Sequence, residues 1–384
     1  MSDVPTTSSA GPVILQVLPA LETGGVERGT VEITAAIARA GGTPLVASAG
    51  GRLAVSIERA GGRNILLPLT SRSPWRIWRN AAALAAIIRR ENVALVHARS
   101  RGPAWSAWLA SKRTGAKFVT TYHGAYNEDL PYKRRYNAVM AQGQIVIAVS
   151  HFIADLIRAR HGADPARIRV IPRGVDPAIF DPASVTTARL ISMARKWRLP
   201  DGAPTIMLPG RLTRWKGQNL LIAALAKMQR RDAVVLLVGA DQGRDRFARE
   251  IAATAARLGV ADRVRMLGQC DDMPVAYMLA DIVVNASTDP EAFGRVVIEG
   301  QAMARPVIAA NHGGAAETIE HDVTGWHVPP GDADALAAAL DFALSLPPEA
   351  RAELGAAARA SVAANFTVQA MQDATIAVYR DLLG

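Results

Sequence analysis

VILQVLPALETGGVERGTVEITAAIARAGGTPLVASA, residues 13–49, decides the architecture of this chain. Residues 13–19 form an apolar, β-branched run, and a turn containing Gly24 and Gly25 follows it. Residues 26–42 then repeat apolar side chains at helical spacing, which predicts a helix closed by glycine. Residues 43–49 predict a second strand. Strand–helix–strand alternation of this kind means a parallel sheet with helices on both faces.

The same alternation extends outward in both directions. Residues 52–62 read as a helix, and 64–69, 94–99, 117–124 and 145–150 as further strands. The segment RVIPRGVDPAIFDP, residues 169–182, is dense in Pro and Gly and reads as a hinge. Beyond it the pattern restarts, with strands expected at 205–211, 233–240, 263–268, 281–287 and 305–310. The fold class is therefore α/β, in two units: 1–172 and 173–365. The amphipathic segment 366–384 is expected to pack back on the first unit. Ligands of such sheets bind beyond the carboxyl ends of the strands.

Composition narrows the functional classes. The 384 residues carry 44 Lys and Arg against 34 Asp and Glu, a formal charge of +10, and half of them are hydrophobic. That is enough apolar material for a real core and a length that suits two domains. One cysteine, Cys270, excludes an internal disulfide framework and a cysteine zinc cage. The first dozen residues lack the pattern of a secretory leader. The apolar run 81–88 is far shorter than the roughly 20 residues that span a bilayer. The expectation is a soluble, cytoplasmic protein.

Three segments carry chemistry. In DPEAFGRVVIEGQAMARPVIAANHGGAAETI, residues 289–319, Glu291 falls in a loop after a strand and Glu299 in the helix that follows. The helix start near Gly294, Arg295 and Val296 offers N–H groups to an anion or a hydroxyl. In PGRLTRWKGQNLLIAAL, residues 209–225, Arg211 and Lys216 flank a turn between a strand and a helix, where two cations suit a diphosphate. In LETGGVER, residues 21–28, Gly24 and Gly25 permit close backbone approach, but GxGxxG is absent, which counts against a nicotinamide dehydrogenase. Solvated carboxylates, an Arg-rich surface and a plain turn are the respective alternatives.

Taken together, these segments resemble the retaining glycosyltransferases of family GT4, of the bacterial cell-envelope or lipopolysaccharide type. The matching pieces are the GG turn at 24–25, HG at 123–124, VIPRGVD at 170–176, GRLTRWKG at 210–217, EAFGRVVIE at 291–299, and the GG and TG segments of 313–332. The resemblance implies the GT-B fold, two facing Rossmann-like domains with the site in the cleft, the first binding acceptor and the second the nucleotide-sugar donor. It implies that Glu291 holds donor-sugar hydroxyls beside the anomeric carbon and that Glu299 holds the ribose. Backbone amides of Phe293, Gly294, Arg295 and Val296, with Gly210 nearby, would bind sugar and diphosphate. Arg211 and Lys216 would stabilise the leaving diphosphate, His123 would lie near the sugar, and Gly24 and Gly25 would line the phosphate and acceptor side. Arg173 stands where the family more often has Asn.

No cofactor or metal is expected beyond the nucleotide-diphosphate sugar itself. Asp271, Asp272, Asp332 and Asp334 read as loop or helix-capping residues. His97 is expected at a strand end on the acceptor side. A GT-B epimerase or phosphorylase is the alternative enzyme class. A nucleic-acid partner is not expected, since no helix-turn-helix, zinc-finger or RRM pattern occurs. The acceptor expected is a glycan or lipid-linked glycan such as lipopolysaccharide core. Basic and aromatic residues mix at Trp75, Arg76, Trp78 and Arg79, and again at Lys133, Arg134 and Arg135. That mixture suits peripheral docking on the anionic inner face of the plasma membrane; a solvated basic face is the alternative.

Overall fold

Central strands buried on both faces read as continuous apolar runs, and the segments VVLLV and TIMLP are buried at every position. The computed structural model describes residues 11–22, 24–241, 243 and 245–384. Most of the leaderless start anticipated above, residues 1–10, lies outside the described residues, as does Thr23 of the GG turn.

The chain divides into two units, 1–172 with 369–384, and 173–368. In the first, β1 (Val13–Val17), α1 (Gly25–Arg39), β2 (Thr43–Ser48), α2 (Ala54–Arg59) and β3 (Arg63–Leu66) open the alternation. Then come α3 (Pro74–Arg90), β4 (Val93–Ala98), α4 (Arg101–Thr114) and β5 (Lys117–Tyr122). The unit continues with α5 (Pro131–Asn137), β6 (Ile145–Ala148), α6 (His151–His161) and β7 (Ile168–Val170). Its seven strands are ordered β3-β2-β1-β4-β5-β6-β7, and every pairing is parallel.

The second unit contains α7 (Thr187–Trp197), β8 (Thr205–Pro209), α8 (Gln218–Lys227), β9 (Val234–Val238) and α9 (Asp245–Arg257). It continues with β10 (Val264–Gly268), α10 (Met273–Met278), β11 (Ile282–Asn285) and α11 (Arg295–Ala302). β12 (Val307–Ala310), α12 (Gly313–Ala316), β13 (Trp326–Val328), α13 (Ala333–Ser345) and α14 (Pro348–Asn365) complete it. The strand order is β10-β9-β8-β11-β12-β13, again all parallel. Its apolar core gathers Leu208, Ile222, Leu237, Ile251, Val284 and Leu340 with their neighbours.

The segment 169–182, expected as a hinge, begins inside a strand. Ile168–Val170 completes the first sheet against β6, and only from Pro172 does the chain leave it. Further on, Val175 pairs with Thr367, and a Cβ on Gly174 would come within 2.3 Å of the Thr367 backbone. The last helix, α15 (Val368–Leu383), turns polar groups toward the first unit's α1: Gln372 donates to the Glu32 carbonyl and accepts from Arg39.

Each strand order reverses once, between β1 and β4 and between β8 and β11. These switch points are where open α/β sheets leave a crevice at their carboxyl ends. No helix among the described residues is long and apolar enough to cross a membrane.

Candidate active site

The switch point of the second sheet brings together two loops that are 75 residues apart in sequence. β8 ends at Pro209, and the turn after it carries Lys216; β11 ends at Asn285, and the loop after it carries Glu291. Glycine permits the contact. Gly217 has φ +78°, and a Cβ there would lie 1.9 Å from the Ala286 carbonyl oxygen. At Gly313, with φ +66°, a Cβ would lie 2.6 Å from the Glu291 carbonyl oxygen, and the next amide, Gly314 N–H, donates to that carbonyl at 2.8 Å. His312 Nε2 lies 2.8 Å from the Ser287 carbonyl oxygen, fixing the loop from its other side.

Three donors then converge on one carboxylate oxygen. Lys216 Nζ donates to Glu291 Oε1 at 2.7 Å, Ser287 Oγ at 2.5 Å and Asn285 Nδ2 at 3.0 Å. None of the three reaches Oε2. Burial pushes the Glu291 carboxyl up, but the Lys216 charge and the hydrogen bonds from Lys216, Ser287 and Asn285 outweigh it and hold it below the usual carboxylate range. Lys216 also lies over the Trp215 ring at 4.5 Å and stays partly accessible, so its charge is aimed at this loop without being sealed in.

Helix α11 begins four residues after Glu291, with Gly294 at φ +78° as its N-cap. Its first turn therefore sets the positive end of a helix on the same loop as the carboxylate. Phe293 is buried edge-on against Phe366, which fixes the approach to that turn. One further turn along, Glu299 is buried; Tyr277 Oη donates to its Oε2 at 2.9 Å, and Arg295 Nε lies 3.7 Å from its Oε1. Tyr277 also reaches the Val296 carbonyl at 3.4 Å.

The other anticipated residues distribute unevenly. Gly210, at φ +144°, sits against the Lys216 side chain. Arg211 is exposed beside it, and its carbonyl accepts from Gln218. His123 follows β5, and Gly24 and Gly25 stand at the start of α1; all three belong to the first unit. His97 is not at an accessible strand end. It is fully buried within β4, with Nδ1 2.5 Å from Tyr379 Oη and Nε2 2.6 Å from Thr121 Oγ1, so both ring nitrogens are engaged inside the fold. Asp272 and Asp332 cap α10 and α13 by accepting from backbone N–H groups.

Sequence reading missed Asn285, Ser287 and Tyr277. Asn285 ends β11, Ser287 lies in the loop just beyond it and Tyr277 lies in a short helix, positions whose residue types announce nothing until the fold sets them against Glu291 and Glu299.

Comparison with known proteins follows this geometry. A family model described as glycosyltransferase family 4 matches residues 23–179, and one described as glycosyl transferases group 1 matches residues 192–361. A crystal structure described as a glycosyltransferase from Rickettsia africae ESF-5 is 40% identical with a TM-score of 0.90, over 97% of this chain and 99% of that one. This chain belongs to glycosyltransferase family 4. Among family relatives, a D-inositol 3-phosphate glycosyltransferase of Salinispora tropica is 32% identical over 277 residues. That alignment takes in 64% of this chain, and the chain spans 56% of the relative's length. The Anabaena protein HepE, in complex with UDP and glucose, shares the two-sheet fold of this glycosyltransferase chain, with a TM-score of 0.85 at 23% identity over 96% of this chain and all of that one.

Proposed function

We propose that this chain transfers a sugar from a nucleotide-diphosphate donor to a glycan or lipid-linked acceptor with retention of anomeric configuration. The convergence of Lys216, Ser287 and Asn285 on Glu291 Oε1, beside the start of α11, carries the reading. A carboxylate held ionised, with Oε2 untouched by those donors, accepts hydrogen bonds from sugar hydroxyls and faces the positive charge that develops at the anomeric carbon. Glu299, steadied by Tyr277, accepts from the ribose hydroxyls. Lys216 and Arg211, with the amides of residues 293–296, take the diphosphate.

In the reaction, the bond from the anomeric carbon to the diphosphate oxygen breaks, and its electron pair leaves with the phosphate. The acceptor oxygen bonds to the same face of the sugar, and its proton passes to the departing phosphate oxygen. Lys216 and the helix start stabilise the negative charge that builds there, a role that fixed, desolvated donors perform well. These cations supply the positive charge, so the reading includes no metal. His123 and the turn at Gly24 and Gly25 belong to the acceptor side of this reading.

An envelope glycan such as lipopolysaccharide core, presented at the inner face of a membrane, is the acceptor proposed. A phosphorylated cyclitol is the second reading, favoured by the activity named for the Salinispora tropica relative. The test is a panel of UDP-, GDP- and ADP-sugars screened for thermal stabilisation, then for turnover with each acceptor class in excess EDTA. One donor should stabilise the protein and turn over unaffected by EDTA. No stabilisation by any of them, or turnover abolished by EDTA, contradicts the proposal.

A further inference from the structure

The positive charge of this protein is concentrated. Residues 59–127 hold twelve Lys and Arg against one acidic residue, Glu91, so this single stretch exceeds the +10 of the entire chain. It folds as β3 to β5 with helices α3 and α4, which pack side by side. Of its charges, Arg99 is buried within the unit, and Arg63 and Arg90 pair with Glu91. Arg76 and Arg79 are exposed and make no ion pair among the described residues.

The beginning of α3 is unlike an ordinary solvated helix. Its first turn has no acidic residue and starts Pro74-Trp75-Arg76. A cation at that position opposes the positive end of the helix, an arrangement that costs stability until an anion meets it. From Arg72 to Arg79 every residue except Ile77 is exposed. Trp75 is 62% exposed and Trp78 is 60% exposed, standing edge to face at 6.5 Å. Arg79 lies over Trp75 and Arg113 over Trp78, each at 5.7 Å, and Leu66 is 70% exposed at the end of β3. Beside them a groove of about 460 Å³ has Leu67, Pro68 and Ala83 in its lining, together with Arg76, Arg79 and Asn80.

Large apolar rings interleaved with unpaired guanidinium groups fit one kind of partner. An indole settles at the boundary between head groups and acyl chains, and an adjacent Arg reaches lipid phosphates. We propose that the Trp75–Arg79 end of α3, with Leu66 and Arg113 beside it, docks on an anionic lipid bilayer, the groove receiving a head-group phosphate. In the other basic segment Arg134 donates to the Arg160 carbonyl, Lys133 pairs with Asp129 and Arg135 is exposed, so the proposal is confined to α3. The inference deepens the lipid-linked acceptor of the proposed function and rests on that reading for its purpose alone.

The experiment is flotation of the full chain with vesicles of phosphatidylcholine, alone or with about one third phosphatidylglycerol. Wild-type protein should float with the anionic vesicles only, and high salt should release it. Trp75→Ser/Trp78→Ser and Arg76→Gln/Arg79→Gln should each bind roughly tenfold less or weaker still, and Lys133→Gln/Arg134→Gln should bind as wild type does. The melting temperature and donor-induced stabilisation of the α3 variants should equal those of wild type, which separates a lost surface from a lost fold. Flotation independent of anionic lipid, no flotation of wild type, or unchanged flotation of either α3 variant overturns the proposal. Absent donor stabilisation with intact flotation would instead defeat the transfer reading and leave this one standing.

Discussion

Both sheets reverse their strand order once, and the molecule fills the two places differently. At the first, between β1 and β4, Gln16 bonds Thr34 and accepts from Arg99, while His97 spends both nitrogens on Tyr379 and Thr121. Gln16, His97 and Tyr379 are essentially inaccessible, and α15 supplies the ring that closes over His97. At the second, between β8 and β11, three donors crowd one oxygen of Glu291, and the cation among them keeps some exposure. A buried polar network whose groups bond one another rigidifies a fold. One with hydrogen-bonding capacity aimed outward can bind a ligand. The first network is accordingly a clasp for the C-terminal helix, and the second is where the proposed transfer would take place.

Substitutions can break this contrast. The largest effect is expected from Lys216→Ala, which removes both the charge proposed to face the leaving group and the partner of a buried carboxylate. Turnover should fall by about 10²–10³, as when one oriented donor to a developing anion is lost. Wild-type turnover in a folded variant would place the chemistry elsewhere. Ser287→Ala and Asn285→Leu come next, each deleting a hydrogen bond to a charged group worth about 1.5–3 kcal/mol.

The pH dependence follows from the same bonds. The folded Glu291 carboxyl lies below its ordinary value near 4.5, so its contribution to stability is complete above that value. It is lost as the pH falls through the folded value. Ser287→Ala should move that acid limb of the melting curve upward, and an unmoved limb would show that Ser287 does not hold the ionised form.

Tyr379→Phe probes the other network. It leaves His97 Nδ1 without a partner and should cost about 1–3 kcal/mol of stability, measured by denaturant unfolding, with turnover per folded molecule unchanged. A turnover defect in the folded variant would erase the distinction between clasp and site. The smallest effect is expected from Tyr277→Phe, which loosens Glu299 without removing it: donor KM should rise a few-fold at nearly constant kcat, the signature of lost donor binding. A selective fall in kcat would assign Tyr277 a different part in the reaction.

Much of this arrangement is legible in the sequence, for reasons that differ by residue. The strand–helix alternation is local, so 13–49 announces a parallel sheet. Lys216, Glu291 and Glu299 stand in loops or helix turns next to recognisable strands, so their neighbourhood is readable too. His97 misleads, because its partner Tyr379 lies 282 residues away and nothing near position 97 reveals that a helix will cover it. Ile168–Val170 hides as a strand because Pro172 and Gly174 follow at once and the segment resembles a turn. Asn285 and Ser287 stay silent because their roles depend on a loop folding back through Gly217 and Gly313.

The central claim is that the second switch point, and not the first, holds the donor. Calorimetric titration of the stabilising nucleotide sugar into wild type, Glu299→Ala and Tyr379→Phe tests it most directly. The account predicts at least tenfold weaker binding for Glu299→Ala, about 1.4 kcal/mol or more, and wild-type affinity for Tyr379→Phe. Wild-type affinity in Glu299→Ala, or lost affinity in a folded Tyr379→Phe, would contradict it.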